Sequence, residues 1–177
     1  YVFNVMQNGQ LGQLYFGKKI RHREDFSHFF YKPEVGIGII AHYEEDPGFS
    51  LEYFKQEYPS YGTTDFRKPA FEIEDENGSR VSNFVYKGYR IYKGKEKLQG
   101  LPATYVLSEE EAETLEITLE DEVLECRLYL TYTIFNERDI LTRNARFENK
   151  GEKAVDLTRA LSLNLDLPDY DYECIHL

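Results

Sequence analysis

Phe49, Tyr58, Tyr61, Asp65 and Arg67 lie close together in the chain and make the mixture of side chains that holds a sugar. Aromatic faces suit the C–H surfaces of a pyranose, and a carboxylate and a guanidinium suit its hydroxyls. The surrounding stretch from Ser50 to Phe71, SLEYFKQEYPSYGTTDFRKPAF, adds rings at Tyr53, Phe54 and Phe66, with Pro59 and Gly62 to bend the backbone. Pro59 pins its own φ and disfavours the helical region for Tyr58, while Gly62 is free to take positive φ. Neither the strand period nor the helix period runs through the stretch, so it reads as an ordered loop. Loops held on a rigid scaffold are where binding residues concentrate. Asp65 is expected either to bind substrate hydroxyls or to order the loop that does. The plainer alternative is that the rings fill a core and Asp65 pairs with Arg67 or caps a turn.

Other residue types that do chemistry are present without the spacing for it. Glycoside hydrolysis by retention needs two carboxyl groups about 5 Å apart across the scissile bond. Glu109/Glu111 and Asp169/Asp171 are pairs of the right type, but the first sits in an acidic connection and the second follows the last alternating run. No catalytic residue is assigned to either. His22, His28, His42 and His176 are far apart, no CxxC or HxxxH spacing occurs, and neither a metal nor a cofactor is expected. The run GIGII at Gly36 to Ile40 has neither the spacing nor the following helix of a phosphate loop. A self-contained sandwich enzyme of the mutarotase kind would want a poised His and Glu in one cleft, and the sequence marks no such pair.

The elements that must position the loop are strands. Tyr1 to Met6 and Leu11 to Phe16 flank the turn dipeptide Asn8-Gly9 as a hairpin. Phe71 to Ile73 and Val81 to Tyr86 flank Asn77-Gly78 in the same way, and Tyr89 to Tyr92 reads as a further short strand. From Arg21 to Pro47 the signals weaken, with one short apolar run over Val35 to Ala41. Leu115, Ile117 and Leu119 alternate with Glu116 and Thr118. In the next run Leu124, Cys126, Leu128, Leu130, Tyr132 and Ile134 share one face, and Leu141, Ala145 and Phe147 follow with the same period. Val155, Leu157, Leu161, Leu163, Leu165 and Leu167 form the last stripe. Alternation in successive runs separated by turn signals predicts an all-β domain, a large antiparallel β-sandwich, over residues 1–177. Only a turn at Glu109 to Glu113 has helical character.

A chain of 177 residues can bury a real core without disulfide or metal. The formal net charge of −11 argues against nucleic acid and against an anionic membrane, both of which need clustered Lys and Arg. Cys126 and Cys174 leave room for a single disulfide but read more simply as two lone thiols in a reducing compartment, and no apolar run reaches the length of a membrane helix. The opening YVFNVMQNGQ lacks the basic start and small-residue cleavage site of a signal peptide, and a cytoplasmic location is expected.

Several long words occur in order: NGQLGQLYFGKKI (Asn8 to Ile20), QEYPSYGTTDFRKPAF (Gln56 to Phe71), FVYKGYRI (Phe84 to Ile91), GLPATYV (Gly100 to Val106), EAETLEITLED (Glu111 to Asp121) and TIFNERDILTRNARFENKG (Thr133 to Gly151). Together they resemble the N-terminal domain of the bacterial α-galactosidases of glycoside hydrolase family 36, over nearly the whole chain. The resemblance implies a supersandwich of the galactose-mutarotase-like type leading into a (β/α)8 barrel that carries the catalytic aspartates. It implies that this chain, ending at Leu177, is an accessory fragment inactive by itself, whose parent hydrolyses terminal α-galactosyl residues of sugars such as melibiose or raffinose. The implied partners are that barrel, the α-galactoside substrate through the full enzyme, and further copies in a homo-oligomer, with part of the Phe49 to Arg67 region approaching a barrel active site, its own or that of a neighbouring subunit. The alternative from a different class is an autonomous carbohydrate-binding module whose groove the loop aromatics line.

Overall fold

The structure is a computed structural model and describes residues 1–30, 45, 49–100 and 102–166. Its strands are β1 (Val2–Val5), β2 (Leu11–Tyr15), β3 (Phe71–Glu74), β4 (Val85–Lys93), β5 (Ala112–Asp121), β6 (Cys126–Phe135), β7 (Leu141–Asn149) and β8 (Asp156–Ala160). Single 3-10 turns at Ser27–Phe29, Leu51–Tyr53 and Glu109–Glu111 are the remaining regular structure among the described residues. The fold is the all-β, antiparallel arrangement that the alternation predicts.

β4, β5, β6 and β7 form one four-stranded sheet in that order. Its inner face carries Leu115, Ile117 and Leu119 beside Leu128, Leu130 and Tyr132, because the register sets Leu115 opposite Tyr132, Ile117 opposite Leu130 and Leu119 opposite Leu128. Ala145 and Phe147 continue these rows onto β7. Against this face pack Leu11 and Phe3 from the β1–β2 hairpin, Phe71 and Ile73 from β3, and Tyr58 and Ala70 from the loop. Leu128, Leu130 and Phe71 are fully buried, and full burial of such a side chain stabilises by about 1.5–3 kcal/mol. Cys126 is a free thiol on the same face, and burial pushes its pKa up.

The turn at Asn8-Gly9 and the β1–β2 hairpin form as expected, with Gly9 at φ +81. The second expected hairpin does not form. Asn77-Gly78 is a turn, closed by Asp75 N donating to Ser79 O at 2.9 Å, and Asp75 Oδ1 accepts the amides of both Asn77 and Ser79. β3 instead pairs with β8, and residues 81–84 cross between layers, burying Phe84 in the core. The run Tyr89 to Tyr92 belongs to a longer β4 that starts at Val85, with an irregular register between Tyr86 and Gly88. The stripe from Val155 is cut short: Leu157, Leu161 and Leu163 stay exposed, since β8 is flanked by β3 alone. The apolar run Val35 to Ala41, Cys174 and the pair Asp169/Asp171 lie outside the described residues.

Candidate functional site

The stretch between β2 and β3 is built as a neck and a loop. Residues 55–57 run antiparallel beside β2: Gln13 N donates to Lys55 O at 3.0 Å, and Glu57 N donates to Leu11 O at 3.0 Å. Ala70 N then donates to Pro59 O at 2.8 Å and closes a loop over residues 59–70. Compact surface loops with their ends drawn together are frequently functional. Ser82 N donates to Tyr61 O, and Ser60 Oγ donates to Ser82 O, fastening one flank of the loop to the segment that enters β4.

At the tip the backbone is strained. Gly62, Thr63 and Thr64 take φ of +92, +50 and +78 in succession. Glycine visits this region freely, but each L-residue there costs about 1–2 kcal/mol, and β-branched threonine is rare in it. A Cβ at Gly62 would meet Val81 Cγ1 at 2.7 Å, so both the angle and the space demand glycine. The conformation is over-determined by its surroundings. Gly62 and Asp65 exchange two backbone hydrogen bonds, Leu51 N donates to Thr64 Oγ1 at 3.0 Å, and Gln10 Nε2 donates to Thr63 Oγ1 at 3.3 Å.

Asp65 completes the restraint from inside. Its Oδ1 accepts Arg67 N at 3.0 Å and Arg67 Nε at 3.0 Å. Its Oδ2 accepts Arg67 Nη2 at 2.9 Å and Gln56 Nε2 at 2.5 Å. An ionised carboxyl has about four acceptor positions, and all are taken within the chain at a residue 2% exposed. Arg67 Nη2 also reaches Leu51 O and Phe54 O, each at 3.2 Å, which ties the loop to the 3-10 turn before it. The Asp65 hydrogen bond holds the guanidinium pKa up. The arginine side chain is half exposed, and its Nη1 has no partner among the described residues.

The five sugar-contact candidates are thus divided. Phe49 is buried with Met6 and Leu51 and stacks on Phe54, centroids 4.9 Å apart. Tyr58 is buried in the main core, stacked on Phe71 at 5.2 Å, with its hydroxyl donating to Leu161 O at 2.6 Å. These two rings face the interior and present nothing to a ligand, because the apolar positions that precede and follow the loop complete the two hydrophobic clusters. Tyr61 and Arg67 reach the surface. Between them stands Phe66, 68% exposed, its ring edge-on to Tyr61 at 5.8 Å. Phe66 is absent from the sequence-derived candidates, and its only signal is a ring beside a buried aspartate in an unperiodic stretch.

Behind the neck lies a buried polar hub that the sequence does not mark. Glu57, wholly buried, accepts Tyr132 Oη at 2.6 Å and a short hydrogen bond from Tyr1 Oη. Arg143 Nε lies 3.3 Å from its Oε1, and the guanidinium sits over the Tyr58 ring at 4.4 Å. Arg143 Nη1 donates to Ser162 O at 2.7 Å. Burial pushes the Glu57 carboxyl up, against the Tyr1, Tyr132 and Arg143 groups that pull it down. Among the described residues no group of three His, Cys, Asp or Glu is placed to hold a metal ion.

The model of the glycosyl hydrolase family 36 N-terminal domain matches residues 9–177. The chain belongs to this family. It is 46% identical over its whole length to α-galactosidase AgaA of Geobacillus stearothermophilus and 37% identical to α-galactosidase 1 of Pediococcus pentosaceus, covering 24% of each. The chain therefore spans about a quarter of the length of these family 36 relatives. Among solved structures, AgaA with raffinose bound superposes with a TM-score of 0.84 at 45% identity, over 92% of this chain and 22% of that one. The α-galactosidase of Lactobacillus brevis superposes with a TM-score of 0.86 at 35% identity, over 94% of this chain and 22% of that one. The β-sandwich of the family 36 N-terminal domain is the fold described above.

Proposed function

We propose that this chain is the accessory N-terminal β-sandwich of a retaining α-galactosidase, a single domain that precedes a catalytic barrel in its parent. The parent hydrolyses terminal α-galactosyl residues of raffinose-type sugars, and the double displacement is performed by carboxylates outside this chain. The loop over residues 59–70 supplies part of the pocket wall, with Tyr61, Phe66 and Arg67 facing the sugar and Asp65 ordering them. The observation that carries the reading is the strained Gly62-Thr63-Thr64 tip, held from behind by Asp65 while Phe66 stands exposed and Arg67, bound to Asp65, stays half exposed. Strain maintained by surrounding bonds clusters at functional sites. Assembly of the parent as a cytoplasmic homo-oligomer belongs to the same proposal, and sedimentation of the full-length protein tests it.

The direct test is release of galactose from an aryl α-galactoside by this chain and by its full-length parent side by side. Turnover by the parent alone supports the reading; turnover by the chain overturns it. In the parent, Phe66→Ala and Arg67→Ala are expected to raise KM with unchanged melting temperature for the phenylalanine variant. Unchanged kinetics in both would remove the loop from the pocket. Saturable sugar binding by the chain, lost in Phe66→Ala, would favour an autonomous binding module instead.

A further inference from the structure

The outer face of the four-stranded sheet carries a second constellation, remote in sequence from the loop. Alternation sends Arg90, Glu116, Thr131 and Asn144 to that face, and the register sets them in one row across all four strands. The next row is Tyr92, Thr114, Thr133 and Thr142. The connection after β4 folds over this second row. Gly94, at φ +76, turns the chain, and its carbonyl accepts Thr114 Oγ1 at 2.6 Å while Thr114 and Thr133 share a hydrogen bond. Between the sheet and that connection runs a groove of about 660 Å³. A volume of this order suits a small ligand.

The chemistry of the groove selects its occupant. Its cations, Lys97 apart, already have partners. Arg90 Nε and Nη2 hold the Glu116 carboxylate at 2.8 and 3.2 Å, and Nη2 also reaches Glu96 at 3.1 Å. Lys95 Nζ donates to Thr104 O at 3.0 Å, and the Arg146 guanidinium lies 3.8 Å over the Tyr129 ring. No cluster of unmatched positive charge is left for a phosphate. Lys97 apart, the polar side chains without a partner among the described residues are neutral: Thr104, Thr131, Thr142, Asn144 and Gln99. Each both donates and accepts, as sugar hydroxyls do. Tyr92 adds a half-buried ring, and the Glu116 side chain, nine-tenths buried, is a fixed acceptor at the floor.

We infer that this groove is a second carbohydrate site, which takes a neutral oligosaccharide on the outer face of the sheet. It is distinct from the loop and does not depend on the reading given for it. It holds sugar by Asn144, Thr131 and Glu116 without hydrolysing it.

The test is a titration of the 177-residue chain with raffinose, followed by amide chemical shifts. Saturable movement of the Tyr92, Thr131 and Asn144 signals is expected. Asn144→Ala with Thr131→Val should weaken binding about tenfold, the equivalent of about 1.4 kcal/mol, with an unchanged melting curve. Phe66→Ala should leave these shifts as they are. No saturable movement with a folded spectrum overturns the site. Loss of binding in Phe66→Ala alone moves the sugar to the loop, and competition by inorganic phosphate makes the groove an anion site; either result overturns the inference.

Discussion

In β5 and β6, ten residue pairs face one another without a slip, and the central inward pairs Leu115–Tyr132, Ile117–Leu130 and Leu119–Leu128 are apolar. Between Pro59 and Ala70 no ladder runs, three successive residues have positive φ, and a few backbone bonds are joined by side-chain restraints from Asp65, Thr64, Gln56 and Arg67. The sheet holds its shape by repetition, so any single rung contributes little to specifying the fold. The loop holds its shape by singular contacts, each of which has no substitute. Repetition suits a scaffold, and singular contacts suit a surface whose side chains must stand in one arrangement.

Arg143 joins the two regions and should be the most costly single loss. Arg143→Met leaves the Glu57 carboxylate buried without its cation, and a cost of about 3–5 kcal/mol is expected in urea unfolding at mildly alkaline pH. If the hub also orders the loop neck, protection of the 59–70 amides from hydrogen exchange falls more than that of β5. Leu128→Ala tests the sheet alone. The side chain is wholly buried in a central strand, and a cost of about 2–5 kcal/mol is expected with loop protection changed only through global unfolding. Gly62→Ala tests the loop alone: about 1–2 kcal/mol from the left-handed angle, with an added term from the contact at Val81. A neutral result there would show that the tip relaxes and that its strain is not built in.

The pH response of the hub has a fixed sign. Burial holds the Glu57 pKa above its ordinary value of 4.5. Folding therefore favours the protonated form. The stability it contributes is full below the ordinary value and is lost as pH rises through the elevated one. Wild type minus Glu57→Gln stability should accordingly fall from acid toward neutral pH, and a difference that grows instead would mean the Arg143 pairing outweighs burial. The smallest effect is expected at Phe66→Ala, within about 0.5 kcal/mol, because an exposed ring supports nothing beneath it.

The strands β5, β6 and β7 were legible because alternation is a local pattern: a residue's face follows from its parity, whatever it packs against. The β1–β2 hairpin was legible for the same reason, its turn chemistry lying between its strands. The runs of β3 and β8 were legible but their pairing was not, because it joins Phe71 to Ala160 across about half of the chain. Local turn chemistry at Asn77-Gly78 pointed to a nearer partner; the turn forms, but the chain after it leaves β3 and buries Phe84 in the core. In the loop, residue types could name Tyr61, Asp65 and Arg67 but could not separate outward rings from inward ones. Phe49 and Tyr58 carry the same chemistry as Phe66 and differ only in what surrounds them.

Sequence alone determined the all-β class, the sheet's inner stripe and the position of the loop, since each follows from patterns within a few residues. Tertiary structure decided which rings reach solvent, that the Asp65 carboxylate is saturated within the chain, and that Tyr1, Glu57, Tyr132 and Arg143 share one buried hub. Those properties depend on contacts between distant residues. A pattern of one residue type after another carries no distance across the fold, and burial and hydrogen bonding are functions of that distance.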